Sequence, residues 1–450
     1  MVRRKLLSGK NEGLVSVCSV VYKQKMNKQL RETVKVLVNH LASMPWVAQA
    51  EAEELNASVS HWLQNPKSSP PFFTNVMQIE AGSLLRELHT CAKDPGPRWP
   101  GSDEQLCFNF LFSDCPYPPP DSWDFTFIDL FAGIGGFRLA FQGSGGKCVF
   151  TSEWDKYAKK TYEANFGEVP YGDIRRIVKS EIPDHDVLCA GFPCQPFSLA
   201  GVSKKNSLGR KHGFEDETQG TLFFDIKEII RVKRPKAFML ENVKNLCSHD
   251  MGRTFEIIRQ SLEENLGYVV AWKIVDGARW VPQHRERIFI VGYDPRQVMI
   301  KKDEIDIPDG PGEGYRYPEL SSIIGEKVTG YTLGPGTWAT LQRHKAYHST
   351  KGNGFGYGLH KLPVEKGEVT RTISARYHKD GAEILIEQKD DRPRRLTIEE
   401  AMQLQGYDPS RFVFPVSNTQ AYRQIGNSVV VPAVTACALE ISRILKEKAK

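Results

Sequence analysis

The chain has 450 residues, 40% of them hydrophobic and 25% charged, with a formal net charge of +6. That length accommodates a large catalytic domain plus one or two smaller ones, and the ordinary composition excludes a fibrous, low-complexity or disordered protein. Nine cysteines without a single C-x-x-C pair exclude a zinc ribbon or a dithiol redox motif, so no metal is expected and a reducing, cytoplasmic setting is.

No apolar run approaches the roughly 20 residues of a membrane helix. The opening MVRRKLLSGKNEGLVSVCSVVYKQ lacks the small-residue cleavage site of a secretion signal, so a soluble domain is expected from the start. Up to about Cys91 the pattern is helical: Leu30, Val34, Leu37 and Leu41 keep the spacing of one helix face. KDPGPRWPGSDE and CPYPPPDSWD then punctuate a linker, so residues 1–124 form a helical extension without a chemical motif.

From Phe125 the texture changes. FTFIDLF, GKCVFTSE, DHDVLCAGF, PKAFMLENV, YVVAWKIV and RIFIVGY are short β-rich runs, and helical stretches lie between most of them. This alternation predicts an α/β fold over 125–293, a doubly wound, mostly parallel sheet whose ligands bind beyond the strands' carboxyl ends. From about Asp294 to 390 the alternation dissolves into glycine-rich, basic and aromatic sequence, expected to be an irregular functional domain. Residues 391–450 return to helical patterns and to the catalytic domain.

The residues just past each strand carry the chemistry. After the first comes Phe131-Ala-Gly133-Ile-Gly135-Gly136, a turn that lets a ligand approach the backbone at a helix start. It is not G-x-G-x-x-G, which weighs against a dinucleotide site. The second strand ends in Glu153-Trp154, an acid suited to ribose hydroxyls beside an indole suited to an adenine face. Asp173 comes after a further short segment. Taken singly, these are ordinary strand-end residues; together they outline a nucleoside pocket.

The fourth site is GFPCQPFS, where Cys194 stands between Pro193 and Pro196 on a stiff turn that is neither helix nor central strand. A thiol on such a perch is placed to be aimed. The fifth is Glu241, directly after an apolar strand, where desolvation should raise its pKa. Before the last strand, PQHRERIFI puts Gln283, Arg285 and Arg287 on one face at period two.

In this order DLFAGIGG, EW, GD, GFPCQPFS, ENV, QHRER, RRLT…LQGY and YRQIGNSVV resemble the successive motifs of DNA cytosine-5 methyltransferases, from about Phe125 to the end of the chain. The resemblance implies a Rossmann-like class I methyltransferase fold and S-adenosyl-L-methionine as cofactor. It implies Cys194 as the nucleophile that adds to cytosine C6, Glu241 on N3 and the exocyclic amine, Arg287 on the O2 side, and Arg285 supporting Glu241 or a phosphate. The cofactor would take Phe131, Gly133, Gly135, Glu153, Trp154, Asp173, Ile174, Pro193, Leu222, Asn427 and Val429, so the final helix must return beside the first strand.

The partner implied is double-stranded DNA with the target base rotated out of the stack, at a cost of about a few kcal/mol. GVSKKNSLGRKHGFEDE, just after Cys194, suits a loop that closes over it. Gln195, Ser198, Lys204, Lys205 and Arg210 would face DNA there. Residues 294–390 match the family's target-recognition domain, with Phe355, Thr372 and Arg376 expected on DNA. Thr372 is followed by Ile, where the family usually reads Thr-Leu. KGNGFGYG and ARYHKDGAEILI look most like members acting on CCWGG or GGWCC sites. Monomeric action in a bacterial restriction-modification system, with a separate cognate endonuclease, completes the expectation. The rival is an RNA cytosine-5 methyltransferase, against which the length of the recognition region weighs.

Overall fold

A computed structural model describes residues 28–90, 111–112, 114–192, 222–352, 356–389 and 391–449. The six expected apolar runs form one sheet: β1 (Phe125–Leu130), β2 (Gly146–Ser152), β3 (Val187–Gly191), β4 (Ala237–Val243), β5 (Val269–Asp276) and β6 (Glu286–Tyr293). Their order is β2-β1-β3-β4-β6-β5. β1 to β4 pair in parallel, whereas β6 runs antiparallel to both β4 and β5. Five strands therefore point one way, as the α/β reading requires.

Both faces of the sheet are covered, which is why β1, β3 and β4 are buried along nearly their whole length and carry apolar residues on both sides. On one face Phe127, Cys189 and Met239 pack with Phe137 and Phe141 of helix Gly136–Gly143 and with Val434 and Ile441 of helix Val431–Lys448. The last helix thus returns beside the first strand, as expected. On the other face Ile128, Leu188 and Leu240 meet Ile226 and Ile230 of helix Leu222–Lys233 and Ile258 of helix Arg253–Gln260.

The region after β6 is less irregular than its composition suggests. Val298, Ile300 and Ile307 still belong to the catalytic core. Beyond them lie helix Pro335–Thr350 and a small sheet, β7 (Leu359–His360), β8 (Leu385–Gln388) and β9 (Asp391–Arg394), in the order β7-β8-β9. The helix escapes a periodicity reading because Leu341 is its one buried residue, leaving no apolar stripe to detect. The antiparallel β8–β9 pair crosses position 390, where the sequence places a boundary. Just past it, the buried guanidinium of Arg394 holds both Glu400 carboxylate oxygens at 2.8 Å. Glu400 also completes a capping box with Thr397.

Leu30, Val34, Leu37 and Leu41 are all buried on helix Lys28–Ala42, in the core of the N-terminal extension. With helices Gln49–Gln64 and Asn75–Thr90 it forms a small bundle lying along β2, the open edge of the sheet.

Two residues of the first strand and turn make separable predictions. Gly135 has φ +87°, and a Cβ there would sit 2.3 Å from the Phe166 ring. Gly135→Ala is expected to destabilise the fold by about 2–4 kcal/mol in chemical denaturation, combining left-handed strain with overpacking. Asp129, fully buried in mid-β1, has no hydrogen-bond partner on either oxygen among the described residues. Burial pushes its carboxyl up to about 8, against the pull of Arg138. A raised folded pKa means its stabilising contribution is complete below about pH 4 and is lost as pH rises through about 8. Asp129→Asn is therefore expected to flatten the denaturation midpoint between roughly pH 4 and 8, and an unchanged slope would refute that assignment.

Candidate active site

The carboxyl ends of β1 to β4 converge on one edge, and the reversal of β6 brings its beginning to the same edge. Gly191 is in register with Glu241, and Val243 with Arg287. The Arg287 guanidinium reaches diagonally back, placing Nε 2.9 Å from Glu241 Oε1. Glu241 is 8% exposed. Burial pushes its pKa up as the sequence predicts, while Arg287 and then Arg285 pull the other way. The result is a carboxyl group whose charged form burial disfavours, held in place by Arg287.

Asn242 is the residue that sequence reasoning left without a role. Its side-chain amide donates to the Phe192 carbonyl at 3.0 Å, pinning the exit of β3 to the end of β4. The signal was its place: a polar, buried side chain next to the strand-end acid. The described chain pauses at Phe192, directly before Pro193 and Cys194. Pro193, Cys194, Gln195, Ser198, Lys204, Lys205, Arg210 and Phe355 all lie outside the described residues.

The QHRER face divides its labour rather than presenting three groups to a ligand. Gln283 is fully buried, donates to Leu404 O at 2.7 Å and accepts from Ile373 N at 2.7 Å. Arg285, 3% exposed, donates to the carbonyls of Ile373 (2.9 Å), Gly426 (3.0 Å) and Ser428. Burial pushes its pKa down to about 9, with Arg287 adding to that and Glu241 opposing it. Arg285 thus acts on Glu241 by charge, while its hydrogen bonds staple the segment around Ile373 and the C-terminal return to the site. No phosphate is needed to explain its position.

At the other end of the edge, Phe131 and Gly133 take positive φ values and the turn folds over β2. Glu153 accepts from Gly133 N at 2.8 Å and from Asp155 N at 2.7 Å, locking the turn to the strand end. Its pKa is raised by burial, with both backbone bonds opposing. Trp154 beside it is 73% exposed. Asp173 caps the short turn Ile174–Arg176 and pairs with Arg175, which holds its carboxyl below the usual range.

Val429 lies against Gly136, where a Cβ would approach its side chain to 2.7 Å. Asn427 is exposed nearby in sequence, and Leu222 begins the helix after β3. Thr372 donates its hydroxyl to His284 O, and Arg376 is exposed. Removing the Asn242 amide frees the β3 exit without touching Glu241. Asn242→Ala is expected to lower kcat about ten- to hundredfold with a far smaller effect on the DNA KM, read in steady-state methylation kinetics. Equal loss in both parameters would contradict a purely orienting amide.

The family model described as C-5 cytosine-specific DNA methylase matches residues 125–443. The DNA-cytosine methyltransferase of Escherichia coli (strain K12) is 47% identical over 401 residues, covering 76% of this chain and 82% of that protein. The type II methyltransferase M.SsoII of Shigella sonnei is 50% identical over 329 residues, covering 72% of this chain and 82% of its own length. Among solved structures, S. pombe Dnmt2 methyltransferase is similar with a TM-score of 0.53 at 18% identity, covering 72% of this chain and 98% of that one, a likeness of fold. With a strand-end acid, its arginine and the glycine turn arranged along one sheet edge, the chain belongs to the C-5 cytosine-specific DNA methylase family.

Proposed function

We propose that this chain transfers a methyl group from S-adenosyl-L-methionine to C5 of a cytosine rotated out of a short, specific duplex sequence. The observation that carries the reading is the Glu241–Arg287 pair, set beside the β3 exit that leads in sequence to Cys194. Cytosine C5 is a poor nucleophile. A thiolate adding to C6 makes C5 enamine-like, and the charge that develops runs to N3.

Glu241, partly desolvated and therefore readily protonated, meets that charge by donating a hydrogen bond at N3. Arg287 fixes its orientation and reaches the O2 side. A free thiol has a pKa of about 8.5, so Cys194 must lose its proton as the carbon–sulfur bond forms. A base must later remove the C5 proton and release the thiolate by elimination.

The residues present fit the cofactor. Gly133 has no other atom nearer than 4.0 Å to where its Cβ would project, which leaves room against the turn. Glu153 is anchored at that turn, and Trp154 presents an exposed indole, the chemistry of a ribose-and-adenine site. Bound there, S-adenosyl-L-methionine supplies the electrophilic methyl group. Phe131, Gly135, Asp173, Ile174, Pro193, Leu222, Asn427 and Val429 complete the proposed pocket.

Lys204, Lys205 and Arg210, with Gln195 and Ser198, are proposed to close over the DNA, and Phe355, Thr372 and Arg376 to read or support it. Several relatives are named type II methyltransferases, which supports a protective role in a restriction-modification system with a separate endonuclease. CCWGG and GGWCC duplexes are the first substrates to try, with the protein acting as a monomer. Bisulfite sequencing of DNA from expressing cells is expected to reveal one methylated cytosine context, absent with Cys194→Ser. A duplex carrying 5-fluorocytosine at that target should become covalently attached when the methyl donor is present. No attachment would overturn the reading.

A further inference from the structure

The N-terminal extension carries no chemical motif, yet its second helix is tied to the strand end that bears Glu153. β2 is the edge of the six-stranded sheet, so the backbone groups on its outer side need partners from elsewhere. Two elements supply them. The His61 imidazole, fully buried on helix Gln49–Gln64, accepts at Nε2 from Thr151 N at 3.1 Å. Its Nδ1 lies 2.8 Å from Ala57 O, so the bonding pattern assigns a neutral ring with the proton on Nδ1. Tyr171 then donates its N–H to Thr151 O at 3.0 Å and accepts from Glu153 N at 2.8 Å.

Tyr171 is itself held by the extension. Its hydroxyl donates to Pro71 O at 3.0 Å and lies 3.3 Å from Ser58 Oγ. Its ring packs against both His61, at 4.7 Å between centroids, and Phe150, at 5.1 Å, in a cluster where those two rings lie 6.0 Å apart. Gln64 adds a third tie, donating to Phe166 O and accepting from Arg138 Nη2, both at 2.9 Å. Thr151 is two residues from Glu153, and Tyr171 two residues from Asp173. A shift of helix Gln49–Gln64 therefore carries both carboxylates with it.

We propose that the extension is a built-in support for cofactor binding, with His61 and Tyr171 as positioning residues that set the place of Glu153 and Asp173. This rests on the cofactor role proposed for those two acids. Edge covering alone would stabilise the sheet without selecting one ligand. The local stitching predicts a selective effect.

The test uses the full-length chain and two readouts. Binding of S-adenosyl-L-homocysteine without DNA is measured by calorimetry, and kcat and both KM values by methylation kinetics. His61→Ala is expected to weaken calorimetric binding and raise the methyl-donor KM by about tenfold, with kcat and the DNA KM within about twofold. His61→Gln, whose amide oxygen can accept from Thr151 N–H, should recover most of the loss. Tyr171→Phe keeps the ring, removes the hydroxyl ties, and should weaken binding about threefold; it answers the question if His61→Ala does not fold.

Unchanged binding in both folded variants, even with a lower melting temperature, overturns the proposal. So does a loss carried by kcat or by the DNA KM. Glu153→Ala, measured alongside, separates the two levels. If it binds normally, the cofactor assignment and this inference both fail. If it binds poorly while His61→Ala and Tyr171→Phe do not, the positioning role alone is overturned.

Discussion

The contact on which the site depends is the 2.9 Å pair between Glu241 and Arg287, and it exists because β6 runs against its neighbour. In an all-parallel sheet the residues before the last strand would lie at the far edge, a strand length from the acid. Reversal brings an arginine to a carboxylate that burial would otherwise leave costly to ionise. Arg287 in turn keeps the acid from being a fixed, unpaired charge. The pair is a compromise between desolvation, which disfavours the charged carboxyl, and the attraction of Arg287, which favours it.

Around it, orientation is set by amides and guanidiniums bonded to main-chain carbonyls rather than by further ion pairs. Asn242 holds the β3 exit, Gln283 holds Leu404 and Ile373, and Arg285 holds Ile373, Gly426 and Ser428. Segments 88 to 143 residues away in sequence are thereby fixed to one short stretch just before β6. A guanidinium spread over three carbonyls stays put without a counter-ion, which leaves the neighbouring acid free for Arg287.

Much of this was legible in the residues. All six strands and the helices between them stood out because a sheet covered on both faces needs apolar runs of strand length, bounded by turns. Glu241, Glu153 and the glycine turn were found by asking which residues sit just beyond each run. Arg287 was found by its two-residue spacing before the last. The same spacing set Gln283 and Arg285 on that face but said nothing of the backbone groups they bond, since period two does not tell what packs on a face. Helix Pro335–Thr350 was invisible because it buries one leucine and so has no stripe. Asn242 and His61 were invisible for another reason: their partners are backbone atoms of remote segments, and backbone bonds leave no imprint on composition.

The hairpin of β8 and β9 bears on where this chain could be cut and rejoined without loss of its fold. Its two strands straddle residue 390, and the second ends on Arg394, whose guanidinium is clamped by Glu400 in the following helix. Foreign sequence joined at 390 would split the hairpin and replace Gly325, whose carbonyl and N–H bond Arg394 and Glu400. Residues 391–400 are thus packed as one unit with the segment before them, although the chain's texture turns helical there.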